Sequence, residues 1–380
     1  MDFSLTDDQK LVKNMVREFA EKELLEKAVE IDESREFPHD SLKKMAPLGL
    51  LGMVVPEKYG GAEMDFKTIA IAIEEISRVC ASTGVIVAVQ NTLAEYPILE
   101  FGTEEQKQKY LPDMAAGKKI GCICLTEPNA GSDVAGFETV AVDKGDHYVI
   151  NGTKRFITNG TEADIMITFA YTDKEKKHHG MDVFIVESGF SGVSKGKHEN
   201  LMGIRATGNC EVYFEDCIVP KENLLGPKNE GFMTAMKILD VSRIDIGAQA
   251  VGVAQAALDE ATKYAKERVQ FGRPLAKFQM IQDMIAQMAA KVEAARLLVY
   301  KAADLKDRGI PRFSAASAIS KYFASEIAVD VARMGLQIHG GYGYTKDYPI
   351  ERIYRDARIL PIYEGTSQVQ KIVIARELLK

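Results

Sequence analysis

From residue 232 onward the apolar positions recur at helical period through four stretches, 232–268, 279–308, 314–338 and 366–379, with few interior breakers. Helices of that length cannot satisfy their apolar stripes alone; each stripe needs a partner surface along its whole length. Three long helices and a shorter one meet that need as an up-down bundle. The rest of the chain has to be fitted around this C-terminal block.

Before it, the texture changes twice. Thr6 to Gln9 has capping-box spacing, and Leu11, Val12, Met15, Val16 and Phe19 follow at helical period. Residues 40–51, 67–79, 85–101 and 104–116 continue in helix, with Gly60 and Gly61 as a break and Thr103 as an N-cap. From Lys118 the apolar runs become short and β-branched or aromatic, at 120–125, 140–142, 148–151, 164–171, 181–187 and 211–214. Turn pairs at Gly145-Asp146, Asn151-Gly152, Asn159-Gly160 and Ser191-Gly192 suit an antiparallel sandwich or barrel. The expectation is an α+β chain: an N-terminal α-helical domain over 1–117, a central β domain over 118–228 and a C-terminal four-helix bundle over 229–380.

Composition narrows the function. With 46% apolar and 27% charged residues, the 380-residue chain reads as globular and larger than one core. A net charge of -7 argues against nucleic acid or an anionic membrane as the main partner. The start at Met1-Asp2-Phe3 carries no basic leader, and no apolar run approaches the roughly 20 residues of a membrane span, so a cytoplasmic protein is expected. The five cysteines lack paired C-x-x-C spacing and read as packing thiols, with no metal site.

One carboxylate is set apart. Glu364 lies between Tyr363 and Gly365, where desolvation can raise its pKa toward that of a carbon-acid base, each unit being worth about 1.4 kcal/mol. The same stretch also reads as a plain loop before a helix, with Thr366 or Ser367 as N-cap. Residues 125–133 run from a strand into a small-residue loop with free N–H groups and hydroxyls for a bulky polar ligand; taken alone, the stretch reads first as a Pro/Asn/Gly turn between strands. The phosphate-loop pattern is absent, and no G-x-G-x-x-G follows a strand.

Taken together and in order, LTEPNAGSD, FITNG, ERVQFGRPLAKFQ, QIHGGYGYTKDYPIERIYRDAR and IYEGTSQ resemble the acyl-CoA dehydrogenase family of flavoproteins. The similarity runs from the Phe3-Ser4-Leu5-Thr6 opening to the last helix. It implies FAD held by Ile123, Leu125, Thr126, Gly131, Ser132, Phe156, Ile157 and Thr158. Phe156 stands where many relatives carry Trp. The resemblance further implies that Arg268, Gln270, Phe271, Gln279, Gln337, Gly340 and Gly341 reach the FAD of a neighbouring subunit, with Thr366 and Gln368 completing the contacts. A homo-oligomer follows, usually a tetramer in the family. Asp240 and Arg243 match contacts to the CoA part of the substrate, with Ser132, Tyr363 and Gly365 also at the substrate; without the family, Asp240, Arg243 and Asp245 read as a charged helix face. Arg205 reads as a ligand contact or a structural salt bridge.

The implied reaction is α,β-dehydrogenation of an acyl-CoA, with Glu364 taking the α-proton, the β-hydrogen leaving as hydride to the flavin, and electrons passing to an electron-transferring flavoprotein. A short linear acyl group such as butyryl is the first expectation. Asn91 and Glu95 share a helix face; pointing outward they are a wet surface, pointing inward they suggest an alicyclic acyl group. No Arg lies between Val79 and Phe101 to pair the second carboxylate of a glutaryl group. The rivals are an acyl-CoA oxidase and a non-catalytic relative that binds acyl-CoA or DNA.

Overall fold

The computed structural model describes residues 4–311 and 313–380; Phe3 of the expected opening lies outside them. The N-terminal part holds α1 (Asp7–Phe19), α2 (Lys27–Ser34), α3 (His39–Met45), α4 (Phe66–Val79), α5 (Ala81–Ala88), α6 (Tyr96–Phe101) and α7 (Glu104–Ala115). Thr6 with Gln9, and Thr103 with Gln106, form reciprocal capping boxes at α1 and α7. The helix expected over 40–51 stops at Met45, because Pro47 brings in a tighter turn that closes on left-handed Gly49. The one expected over 85–101 begins at Ala81 and widens into a π-turn at Val89–Glu95.

The central part is one seven-stranded sheet of β1 (Gly121–Cys124), β2 (Val140–Asp143), β3 (His147–Ile157), β4 (Ile165–Tyr171), β5 (Met181–Glu187), β6 (Val193–Lys195) and β7 (Cys210–Pro220). It is not wholly antiparallel. β5 takes the full length of one edge of β4, so β1 and β2 share the other edge, both running parallel to β4. Turn pairs report only local hairpins, and pairing across some forty residues escapes them. Asn151-Gly152 is not a turn either: it lies inside β3 at a shift of register with β7, where a Cβ on Gly152 would fall 2.2 Å from Thr139 Oγ1. The five cysteines are free and buried.

The C-terminal part contains α8 (Gly231–Glu267), a small ribbon of β8 (Val269–Gln270) and β9 (Arg273–Pro274), α9 (Gln279–Asp307), α10 (Ser314–His339), α11 (Ile350–Ala357) and α12 (Ser367–Leu378). α8 is the axis of the molecule, packed on α9, α10 and the N-terminal α4. Gly252 allows that last approach, since a Cβ there would lie 2.3 Å from Glu74 O. Short, charged α11 was not expected from the sequence. No helix among the described residues is long and apolar enough to cross a membrane.

Candidate active site

Between α11 and α12 the chain turns through Glu364 and Gly365, both left-handed, with φ of 54° and 85°. For Glu364 that conformation costs about 1–3 kcal/mol and persists only where neighbours enforce it. Three do. Gln370 Nε2 donates to the carbonyls of Glu364 and Gly365 at 3.1 and 3.0 Å, and Lys321 Nζ donates to Gly365 O at 2.8 Å. Thr366 Oγ1 accepts the Val369 N–H at 3.2 Å and so caps α12. Tyr363 donates its hydroxyl proton to Gln249 on α8.

The Glu364 carboxylate points at α8, where Ser242 Oγ donates to its Oε2 at 2.8 Å. Burial pushes this carboxyl above the ordinary range, against the pull of Ser242, Lys321 and Arg243. Taken as a whole, the Glu364 residue is nevertheless partly exposed. Arg243 is buried and pairs with Asp240 Oδ1 at 2.6 Å, while Ser314 donates to the other Asp240 oxygen. Asp240, Arg243 and Asp245 are therefore no solvated face. One turn past Ser242, Asp245 is fully buried and held by Thr92 Oγ1 at 2.8 Å.

The loop after β1 is anchored from below. Glu127 accepts the N–H groups of Glu138 (2.6 Å) and Thr139 (3.0 Å) and pairs with Lys154 Nζ at 2.8 Å. Lys154 is fully buried, with Phe137 under its ammonium at 4.0 Å, and it also reaches Leu125 O at 3.3 Å. Sequence reasoning missed this pair; a lone acid in a turn gives no signal for a lysine 27 residues away. Above the anchor, Arg155 N–H donates to Thr126 O at 2.8 Å, which joins the loop to the end of β3. Phe156 there is left-handed and 55% exposed, a strained aromatic presented outward beside Thr158. Ile123, Leu125 and Thr126 are partly buried, Ile157 is buried, and Gly131 and Ser132 are open.

A second, separate cleft of about 420 Å³ is lined by Tyr264, Arg268, Gln270, His339, Gly340 and Gly341, among others. Its lining comes from the end of α8, the ribbon and the end of α10, with nothing from the sheet or the Glu364 turn. Arg268 lies 5.2 Å from the Tyr342 ring centroid, and buried His339 Nε2 has no partner. Phe271 at the ribbon tip is 94% exposed; Gln279, Gln337 and Gln368 are exposed too, and none of the four lines the cleft.

Three family models cover the chain: acyl-CoA dehydrogenase N-terminal domain over residues 6–118, middle domain over 122–217 and C-terminal domain over 229–379. The chain belongs to the acyl-CoA dehydrogenase family. The short-chain specific acyl-CoA dehydrogenase of Clostridium acetobutylicum is 53% identical over all of both chains. Butyryl-CoA dehydrogenase from Megasphaera elsdenii superposes with a TM-score of 0.98 at 44% identity, again over all of both chains. A chain in the structure described as the electron transferring flavoprotein of Acidaminococcus fermentans gives 0.98 at 50% identity and the same coverage. An acyl-CoA dehydrogenase from Bacillus anthracis, complexed with FAD, gives 0.94 at 36%, covering 99% of this chain and 67% of that one.

FAD is the cofactor of this acyl-CoA dehydrogenase, and the residues fit it. A Cβ on Gly131 or Gly341 would meet nothing, so packing does not demand these glycines and a ligand has room there, while Gly340 also answers a left-handed backbone. In the cleft, a guanidinium fork beside open backbone suits a pyrophosphate, and His339 Nε2 offers an unused polar atom.

The stretch expected at the acyl end points inward. Gln90, Asn91, Thr92 and Glu95 are all buried, so it is no wet surface. Asn91, however, is fully occupied: its Oδ1 accepts Met53 N–H at 2.7 Å and Val54 N–H at 3.3 Å, and its Nδ2 donates to Leu50 O and Val87 O. It ties loop to helix and has nothing left for a substrate. Glu95 receives only Gln90 Nε2 at 3.2 Å, and burial raises its carboxyl well above the ordinary value. Arg205 lies 3.9 Å from Asp32, the structural pairing.

Burial likewise lifts the Asp245 carboxyl to about 7, with Thr92 opposing. Its folded pKa exceeds its unfolded one, so the folded form keeps a proton that the unfolded form loses, and stability falls as pH rises from about 4 to about 7. Asp245→Asn keeps the Thr92 bond without the charge. Calorimetry should show it stabilised by about 1–3 kcal/mol at pH 8 and unchanged at pH 4; equal shifts at both would exclude burial of the charge as the cause.

Proposed function

We propose that this enzyme removes hydrogen from Cα and Cβ of a short-chain acyl-CoA such as butyryl-CoA to give the 2-enoyl-CoA, with Glu364 as base and an electron-transferring flavoprotein as acceptor. The observation that carries the reading is the Glu364 turn: a clamped, left-handed backbone that carries a partly exposed residue whose carboxyl is raised in pKa and held by Ser242. A carboxylate with those properties can accept a proton from a carbon made acidic by a thioester. FAD, when bound, supplies the electron sink for the β-hydrogen. The Glu364 N–H has no acceptor among the described residues and can serve the thioester oxygen as negative charge develops there.

In this reading the 123–132 loop with Phe156 and Thr158 holds the cofactor from its own chain. Arg268, Gln270, Gly340 and Gly341 would then serve a neighbouring chain, because their cleft shares no lining with that loop. Exposed Phe271 at the ribbon tip supports such an assembly, for which a tetramer is our expectation. The short linear acyl group is favoured by the Clostridium relative, and Asn91, committed to the backbone, lends no support to an alicyclic substrate. Electron delivery to a flavoprotein is supported by the Acidaminococcus structure.

Anaerobic mixing with butyryl-CoA or cyclohexanecarboxyl-CoA tests the proposal. Butyryl-CoA should bleach the long-wavelength flavin band promptly and the cyclic thioester slowly. Bleaching by the cyclic thioester alone would overturn the substrate assignment, and rapid oxygen uptake without another acceptor would favour an oxidase.

A further inference from the structure

Lys321 on α10 is fully buried, a position where an apolar side chain would fill the same space without desolvating an ammonium. Its Nζ reaches Gly365 O, and with Gln370, also fully buried, it pins two consecutive carbonyls of the left-handed turn. The pinned carbonyls fix the two peptide planes that flank Gly365, and the first of them is the plane that follows the Glu364 Cα, so the backbone carrying the Glu364 side chain is held on that side. The charged groups around Lys321 come from every neighbouring element: Glu364 from the turn, Arg243 and its partner Asp240 from α8, and Glu326 from α10 itself, with Arg376 of α12 beside Arg243. Of these, the first is the reacting group.

We infer that Lys321 is a positioning residue for the reaction, holding the Glu364–Gly365 turn in its left-handed form and keeping a positive charge behind the base. The inference rests on Glu364 being that base. Burial draws the ammonium down to about 7, with Glu364 raising it, Arg243 lowering it and Glu326 raising it. Lys321 is cationic below that value, beside the Glu364 carboxylate that draws its pKa back up. Removing it takes a cation from an ionised carboxylate, so the Glu364 pKa rises and the base is lost at higher pH.

Flavin bleaching by butyryl-CoA, followed across pH in FAD-loaded wild type, Lys321→Met and Lys321→Gln, tests this. Both variants should lose about tenfold or more in maximal rate with KM little changed, and the acid limb of the profile should move up by about half a pH unit or more. Lys321→Arg, which keeps the charge, should return the limb toward wild type. Wild-type rate and limb in the loaded variants would overturn the inference, as would a loss of flavin or of KM with the limb unmoved, which marks a purely structural lysine. If Lys321→Met fails to fold, Lys321→Gln carries the same test. Glu364→Gln separates the two failures: wild-type bleaching by it sinks the base assignment itself, whereas an inactive Glu364→Gln beside wild-type Lys321 variants sinks only the role of Lys321.

Discussion

Glu364→Gln is expected to lower the rate of flavin bleaching by butyryl-CoA about 10²–10⁴-fold while leaving the fold and bound flavin intact. The amide is isosteric, and its oxygen can still accept from Ser242 Oγ. The clamp on the turn uses backbone carbonyls, which the substitution leaves alone. What disappears is the proposed proton acceptor. Since burial raises the wild-type carboxyl, the amide also removes a buried charge, and the variant should unfold at a temperature no lower than wild type above neutral pH. Stopped-flow absorbance and a thermal melt check both halves; a variant that bleaches at the wild-type rate would place the base elsewhere.

Lys154→Met should be the most damaging single change outside the Glu364 turn, costing about 3–5 kcal/mol because it strands a buried carboxylate. Burial pushes the Glu127 carboxyl up, yet Lys154, the Thr139 hydroxyl and the Glu138 N–H together hold it below the ordinary value. Its folded pKa being depressed, Glu127 contributes stability above the unfolded pKa of about 4.5, lost as pH falls through the folded value. Without Lys154 that contribution shrinks. The loop over 125–133 then loses its floor, so denaturant unfolding should reveal the lost stability, and gel filtration should strip FAD from the variant faster than from wild type. Unchanged flavin retention would show that the loop does not depend on this pair.

The long helices were legible because period alone identifies them, and the sheet's existence was legible from short β-branched runs. The parallel pairing of β1 with β4 was not, since nothing local to either strand records its partner. The same limit applies at the site. Glu364 stood out through its neighbours Tyr363 and Gly365, and the resemblance gave it a role. Ser242, Gln249 and Lys321 act on that turn from 122, 114 and 44 residues away, and their contacts exist only once α8 and α10 are packed. Asn91 shows the converse. Its polarity on a buried helix was visible in the sequence, but only the packed structure shows that Met53, Val54, Leu50 and Val87 consume it.

In the mechanism proposed above, an α-proton of a short acyl-CoA is taken at Glu364 as the flavin is reduced. Its most direct test is the anaerobic bleaching rate of wild-type protein with butyryl-CoA deuterated at the α-carbon, compared with unlabelled thioester, with enoyl-CoA measured in the same mixture. The label should slow bleaching, and one enoyl-CoA should form per flavin reduced. Bleaching indifferent to the label and without enoyl product, or no bleaching by either thioester, would contradict it.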